Sequence, residues 1–230
     1  MHILHIDSSP RRESHSRGLS AAIVERLLEV APGASVSRRD LGGEPLPHTM
    51  ANYAVALSTP ATLAAPPKGS LDVSEMLIRE LEAADAIVIG TPMHNYTVPS
   101  VLKAWIDQVL RVGRTMQSTP TGKAGMLQDR PVFIGIASGG VFSGERASQP
   151  DFLTPYLSLA LNSIGLETLQ FLSIQATAFL DHDQAASARE NALAAIDLTV
   201  VEERRARKFA KARRGPPARP HHNLSALAGS

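Results

Sequence analysis

The feature that most constrains this chain is the run Ala86-Ile87-Val88-Ile89, apolar without a break and mostly β-branched. A strand of that kind is buried on both faces, which happens where helices cover a parallel sheet above and below. The fold class is therefore expected to be α/β. At Gly90 the hydrophobicity stops, and a loop with two prolines, Thr91-Pro92-Met93-His94-Asn95-Tyr96-Thr97-Val98-Pro99, is predicted to open at the carboxyl edge of the strand. In open α/β sheets ligands sit at that edge. From Pro99 and Ser100 a helix is predicted in which Val101, Trp105 and Val109 repeat beside Leu102, Ile106 and Leu110. That stripe faces the sheet, and Lys103, Asp107 and Arg111 lie opposite at a spacing that allows pairing.

The rest of the chain repeats this strand and helix alternation. His2 to Ile6 reads as a first strand, followed by the polar loop Asp7-Ser8-Ser9-Pro10-Arg11-Arg12-Glu13-Ser14-His15-Ser16. Ser16 is the expected N-cap of a helix whose face is Leu19, Ile23, Leu27 and Val30, ending at Pro32-Gly33. Hydroxyls and free amides at a helix N-terminus favour an anion. Two readings fit these serines, a phosphate cradle or residues that merely cap and turn. Neither Gly-x-Gly-x-x-Gly nor Gly-Lys-Ser/Thr occurs in the loop, so the dinucleotide fingerprint and the P-loop both fail.

Ser35 to Asp40 is expected as an edge strand, Leu41 to Pro67 as an irregular segment, and a helix from Ser70 carries Val73, Leu77, Ile78 and Leu81. Beyond the central helix, Gly113 to Arg130 is a polar excursion read as a small hairpin over the site. Pro131 to Ala137 is a fourth strand ending in Ser138-Gly139-Gly140, a third loop at the same edge. A helix with Phe152, Tyr156, Leu159, Ala160 and Ile164 closes at Gly165, Leu166 to Ile174 is a fifth strand, and Asp183 to about Ala212 a long last helix apolar at Leu193, Ile196 and Val200. A five-stranded parallel sheet with helices on both faces, its first and third strands flanking the site, is the flavodoxin-like three-layer sandwich. Residues 1–212 are expected to form one such domain and 213–230 a disordered basic, Pro-rich tail.

Composition removes several classes of function. There is no cysteine among the 230 residues, so thiolate chemistry and disulfides are excluded and redox chemistry must reside on a cofactor. That also fits a reducing cytoplasm, the expected location. Met1 to Ile6 is too short for the apolar part of a signal, and no run reaches the length of a membrane span. Residues 204 to 219 hold eight of the 23 Lys and Arg and no acid, leaving 15 bases against 22 acids elsewhere. An acidic body with a basic tail does not read as a specific nucleic-acid fold. The tail itself reads either as a solubilising extension or as a contact for nucleic acid, acidic lipid or another subunit. No metal site is expected, because His2 and His5 point to opposite faces of one strand and His221-His222 stand alone in the tail.

Over nearly all its length to about residue 200 the sequence resembles the FMN-dependent NADH-azoreductase and NADH:quinone oxidoreductase family. The resemblance is carried by Asp7-Ser8-Ser9-Pro10 with Ser14-His15-Ser16, by the block from Gly90 to Asp107, and by Ser138-Gly139-Gly140. It implies that Ser9, Ser14, His15 and Ser16 hold the FMN phosphate. It further implies that Met93, His94, Asn95 and Tyr96 lie along the isoalloxazine and that Ala137, Ser138, Gly139 and Gly140 border its pyrimidine end. Two positions depart from the commoner pattern, His94 where an aromatic residue often stands, and Ala137-Ser138 in place of Ser-Arg. Losing that arginine removes a cation near the flavin, which would weaken stabilisation of an anionic reduced ring or change which nicotinamide is accepted.

By the same resemblance NADH reduces FMN and leaves, and a quinone or azo compound then takes two electrons, in a homodimer with each flavin near the subunit interface. No side chain is a certain catalytic residue, since the flavin does the chemistry. His94 reads either as a proton donor to the second substrate or as a rim residue that only packs. Two other classes compete. One is a flavodoxin-like electron carrier with a protein partner, against which the long loop at 41–67 and the excursion at 113–130 weigh, since a one-electron carrier wants its flavin edge exposed to a partner. The other is an esterase or phosphodiesterase, for which no Gly-x-Ser-x-Gly elbow or metal pair is present.

Overall fold

The computed structural model describes residues 1–49, 51–120 and 122–213, with side chains through residue 206. Strands β1 (His2–Asp7), β2 (Ser35–Asp40), β3 (Ala86–Pro92), β6 (Val132–Ala137) and β7 (Leu169–Ile174) form one sheet in the order β2-β1-β3-β6-β7. Every neighbouring pair in it is parallel, as the buried β-branched run requires. Helices α1 (His15–Val30), α7 (His182–Ala194) and α8 (Thr199–Arg213) cover one face, where Leu19, Ile23, Leu27 and Leu193 meet Ile3, Val88 and Phe133. Helices α4 (Asp72–Ala83), α5 (Ser100–Val109) and α6 (Thr154–Asn162) cover the other, where Leu77, Leu81, Trp105 and Leu157 meet Leu4, Ile87, Ile89 and Ile134. The α/β flavodoxin-like sandwich with a five-stranded parallel sheet is thus observed.

Several local expectations are corrected. Ser14, not Ser16, caps α1, its Oγ accepting from Arg17 N at 3.3 Å. Strand β3 continues through Gly90 to Pro92, because Gly90 and Thr91 pair with Gly135 and Ile136 of β6 and pairing outweighs the local loss of hydrophobicity. The segment at 41–67 is not wholly irregular and contains two short helices, α2 (Ala51–Ala56) and α3 (Pro60–Ala64). They lie along α5 and not over the carboxyl edge, with Tyr53 Oη donating to Asp107 O at 3.0 Å and Leu63 packed at Gly113.

The excursion at 113–130 does contain a hairpin, β4 (Met116–Thr119) with β5 (Gly122–Gly125), but not over the site. Met126 N donates to Thr115 O and Leu127 N to Ile164 O, just before β7 begins, so the hairpin sits beside the amino edge. In α6 the buried side is Leu157, Ala160 and Leu161, while Phe152 before it and Leu159 within it are exposed. The fifth strand starts at Leu169 and not Leu166. The long last helix is broken in two at 195–198, where Asp197 Oδ1 accepts from Thr199 N at 2.9 Å and starts α8 afresh. Beyond Arg213 the expected tail lies outside the described residues.

Candidate functional site

Chain order reverses between β1 and β3, where Asp7, the last residue of β1, stands in register with Gly90 of β3. At such a switch point the connections leave in opposite directions and a crevice opens between them. Ser8 N and Oγ both donate to Gly90 O, at 2.9 and 3.1 Å, so the first loop leaves alongside β3. Met93 N donates to Ala137 O at 2.8 Å and Ser138 N to Ile174 O at 2.9 Å, placing the β3 and β6 loops next to one another. All the residues expected at the site lie on these three loops and on the first turn of α1.

In the first loop Ser8 and Ser9 are buried, as is Ser16 in the first turn of α1, and Ser14 Oγ lies 3.2 Å from Ser16 Oγ across the start of that helix. His15 opens the helix and is half-buried. The amides of the first turn have no partner within the helix and point with its dipole at an incoming anion. A cleft of about 340 Å³ runs beside this turn, lined by Arg12, Ser14, His15, Leu180 and Arg189.

Below the loop sits a buried charge cluster that sequence reading missed. The Arg17 guanidinium donates from Nε and Nη2 to Ser9 O at 3.0 and 2.6 Å and reaches both Asp40 carboxylate oxygens. It pins the backbone of the serine loop to the end of β2, and the close approach of this turn leaves no room for a Cβ at Gly42, which would stand 2.0 Å from Ser9 O. Asp7, fully buried at the end of β1, accepts from Ser20 Oγ at 2.8 Å and Arg38 Nη2 at 2.7 Å. Burial pushes its carboxyl up, but His5, Ser20 and Arg38 together outweigh that and hold it below the ordinary carboxylate range. With cations around it, this carboxylate does not repel an anion at the loop above.

Ser20, His5 and Asp7 are the nearest approach to a hydrolase triad, and the geometry excludes that role. The same nitrogen, His5 Nε2, faces both Ser20 Oγ at 2.9 Å and Asp7 Oδ2 at 3.5 Å, and Ser20 has no exposed surface. A triad needs the two partners on opposite ring nitrogens and an open hydroxyl.

The β3 loop turns back on itself, with His94 N donating to Thr97 O at 2.9 Å and Thr97 N to His94 O at 3.0 Å. Its two central residues, Asn95 and Tyr96, have φ of 48° and 71°. That is a type I′ turn, in which a tyrosine costs about 1 kcal/mol or more of backbone strain. The turn projects His94, Asn95 and Tyr96 as exposed side chains, while Met93 behind them is half-buried. In the β6 loop Ala137 and Ser138 are buried and Gly139 exposed. A fourth loop, after β7, braces it, since Thr177 N and Oγ1 donate to Ser138 O at 3.0 and 3.1 Å and Ala176 N to Gly140 O at 3.1 Å.

The arrangement therefore offers an anion-seeking helix start at one end and, beside β3, a slot walled by two backbone-rich loops. Among the described residues no three His, Asp or Glu gather in a metal-binding arrangement. His2 is held between Ser35 and Ser37, away from His5, and His221-His222 lie outside the described residues. No described helix is long and apolar enough to cross a membrane.

Residues 1–200 match a family model described as having a flavodoxin-like fold. An FMN-dependent NADH:quinone oxidoreductase of Pseudomonas fluorescens is 50% identical over 180 residues, covering 78% of this chain and 86% of the relative. A protein of the same name from Ralstonia nicotianae is 40% identical over 201 residues, covering 85% and 95%. Among solved structures, an azoreductase from Bacillus anthracis superposes with a TM-score of 0.73 at 24% identity, covering 84% of this chain and 96% of that one. An FMN-dependent NADH-azoreductase from the same species, in complex with FMN, gives 0.71 at 22%, covering 85% and 99%. At those identities the structures agree in fold.

Proposed function

The chain belongs to the family of flavodoxin-like fold that it matches over residues 1–200, and from that premise we propose that it is an FMN-dependent oxidoreductase passing two electrons from NADH to quinones and azo compounds in ping-pong order. The observation that carries the reading is the site itself: an anion-seeking turn at Ser14 to Ser16 and a backbone-lined slot meet at the β1/β3 switch point. The oxidoreductase relatives named above supply the chemistry to which such a site is put.

The residues present fit FMN. Ser9, Ser14, His15 and Ser16 offer hydroxyls and unpartnered first-turn amides to a phosphate. Arg17 holds the loop in place from below, and Arg17 and Arg38 offset the buried Asp7 carboxylate. Met93, His94, Asn95 and Tyr96 form the wall along the isoalloxazine, with the strained turn fixing its outer half, and Ala137, Ser138, Gly139 and Gly140 border the pyrimidine end. When bound, FMN supplies the hydride acceptor and the return of two electrons to the second substrate. The protein binds, orients and shields. No side chain is assigned a chemical step of its own; His94, exposed at the rim, stands either as a proton donor to the second substrate or as a residue that only packs there.

We place one FMN-binding domain at residues 1–212, in a cytoplasmic homodimer. What supports the dimer is an exposed apolar rim at the site. Phe152 N donates to Tyr96 O at 3.1 Å, and Tyr96, Phe152 and Leu159 are 49%, 60% and 72% exposed. A second subunit laid there would cover the rim and complete the open side of the slot. The absence of cysteine supports a reducing compartment.

The carrier alternative loses one argument made against it, since neither α2–α3 nor the hairpin covers the carboxyl edge. It fails instead on the relatives. The test is to purify the protein, record its visible spectrum, and add NADH without oxygen. Flavin absorbance should bleach and return when benzoquinone is added. Bound flavin that NADH cannot bleach would make the protein a carrier, and a colourless protein that takes up no FMN would refute both.

A further inference from the structure

Gln149 lies outside every residue assigned above, between the β6 loop and α6. Its backbone N–H donates to Val141 O at 3.2 Å, and that of Ser148 to the same oxygen at 2.9 Å, so the segment folds back and returns the side chain to the β6 loop. There Nε2 stands 3.0 Å from Ser138 Oγ and 3.1 Å from Met93 Sδ. Oε1 lies against Gly140 so closely that a Cβ there would stand 2.4 Å from it, within any allowed contact. One carboxamide thus touches both walls of the slot. The backbones of Ser138 and Gly140 are already braced by the β7 loop, and Met93 N by Ala137 O. Between the side chains Ser138 Oγ also donates to Met93 Sδ, at a long 3.8 Å, and Gln149 closes the triangle with its two shorter contacts.

We infer that Gln149 is a positioning residue for the cofactor slot: its carboxamide ties Met93 of the β3 loop to Ser138 of the β6 loop and keeps that end of the slot narrow and uncharged. Met93, Ser138, Gly140 and Gln149 carry no charge between them, so the polarity offered there is that of neutral dipoles. The inference rests on the FMN reading of the site given above.

The test compares wild type with Q149L, Q149E, S138A and the double variant S138A/Q149L. The readouts are FMN affinity from flavin fluorescence, melting of the apoprotein, and the flavin midpoint potential against reference dyes. Losing neutral hydrogen bonds at the slot should weaken FMN binding about tenfold in Q149L, with apoprotein melting unchanged. The double variant should bind no worse than Q149L alone, because both changes remove one contact. Q149E should shift the midpoint potential to more negative values, since a carboxylate opposes added electrons. FMN affinity in Q149L within twofold of wild type, or additive losses in the double variant, overturns the inference. If Q149L does not fold, S138A and Q149E decide, and an unchanged potential in Q149E overturns it. Wild type that takes up no FMN defeats the reading of the site and this inference with it. Wild type that binds FMN and bleaches with NADH, beside indifferent Gln149 variants, defeats this inference alone.

Discussion

The two edges of the one sheet use polar residues in opposite ways. At the amino edge a buried arginine serves the chain's own carbonyls: Arg130, 4% exposed, donates to Leu81 O, Glu82 O and Ala84 O at the end of α4 and to Gln128 O. Asp129 beside it accepts from Glu167 N, Thr168 N and Thr168 Oγ1 at 2.8, 3.1 and 2.6 Å. At the carboxyl edge the first-turn amides of α1 lack helical partners, the Asn95-Tyr96 turn is strained, and His94 is exposed. One edge is tied together by the chain's own side chains, and the other is where we propose that the cofactor binds. Stability and binding should therefore separate when each edge is cut in turn.

The largest effect is expected at the closed edge. Arg130→Met leaves several buried carbonyls without a donor and should cost about 3 kcal/mol of stability, read from urea unfolding, with FMN affinity within twofold of wild type. A variant that loses FMN as steeply as stability would break the separation. Next comes the open edge. Ser14→Ala should weaken FMN binding about tenfold while removing the N-cap costs only about 1 kcal/mol. Paired calorimetry and unfolding curves check both values.

Much of this division was legible in the sequence, and the failures have physical causes. The apolar run at 86–89 and the α5 stripe need only period and burial, and they were read correctly. The serine loop and the Gly90 to Ser100 loop follow from where those elements end. The hairpin was misplaced although topology locates it: α5 carries the chain back from the carboxyl edge, so an excursion between α5 and β6 must leave from the amino edge. Ser14 and Ser16 are equally good caps by type, and only the position of Arg17 N chooses between them. Arg17 with Asp40, and Gln149 with Met93, are pairings across 23 and 56 positions that no local pattern reveals. The segment around α6 carries more apolar residues than one face can bury, which leaves Phe152 and Leu159 exposed.

The closed edge extends up α4, and acid should test it there. Arg114 first, then Arg111 and Arg79, hold the Glu75 carboxyl down to about 2 from an ordinary 4.5. A carboxylate depressed by folding contributes stability that is complete above its unfolded value and is lost as pH falls through the folded one. Stability should therefore decline between about pH 4.5 and 2 by on the order of 1 kcal/mol from this group, allowing for solvent screening. Glu75→Gln should flatten that part of the acid unfolding curve, and its FMN affinity at neutral pH should match wild type.

The smallest effect separates two members of a single row on α5. Lys103, Asp107 and Arg111 were expected to pair along one exposed face, yet only Lys103 and Asp107 do so, at 2.5 Å with both half-exposed. Arg111, one turn on, is 6% exposed and turns inward to Ser74 Oγ and Glu75 at 3.0 and 2.6 Å. An exposed pair at this spacing gains little, because water screens the attraction and two long side chains lose freedom. Lys103→Ala should therefore change stability by less than about 0.5 kcal/mol, and 1 M salt should erase even that difference. Urea unfolding with and without salt measures both. A loss above about 1 kcal/mol would mean that this face is covered in the working protein and that α5 belongs with the edge the chain does not close by itself.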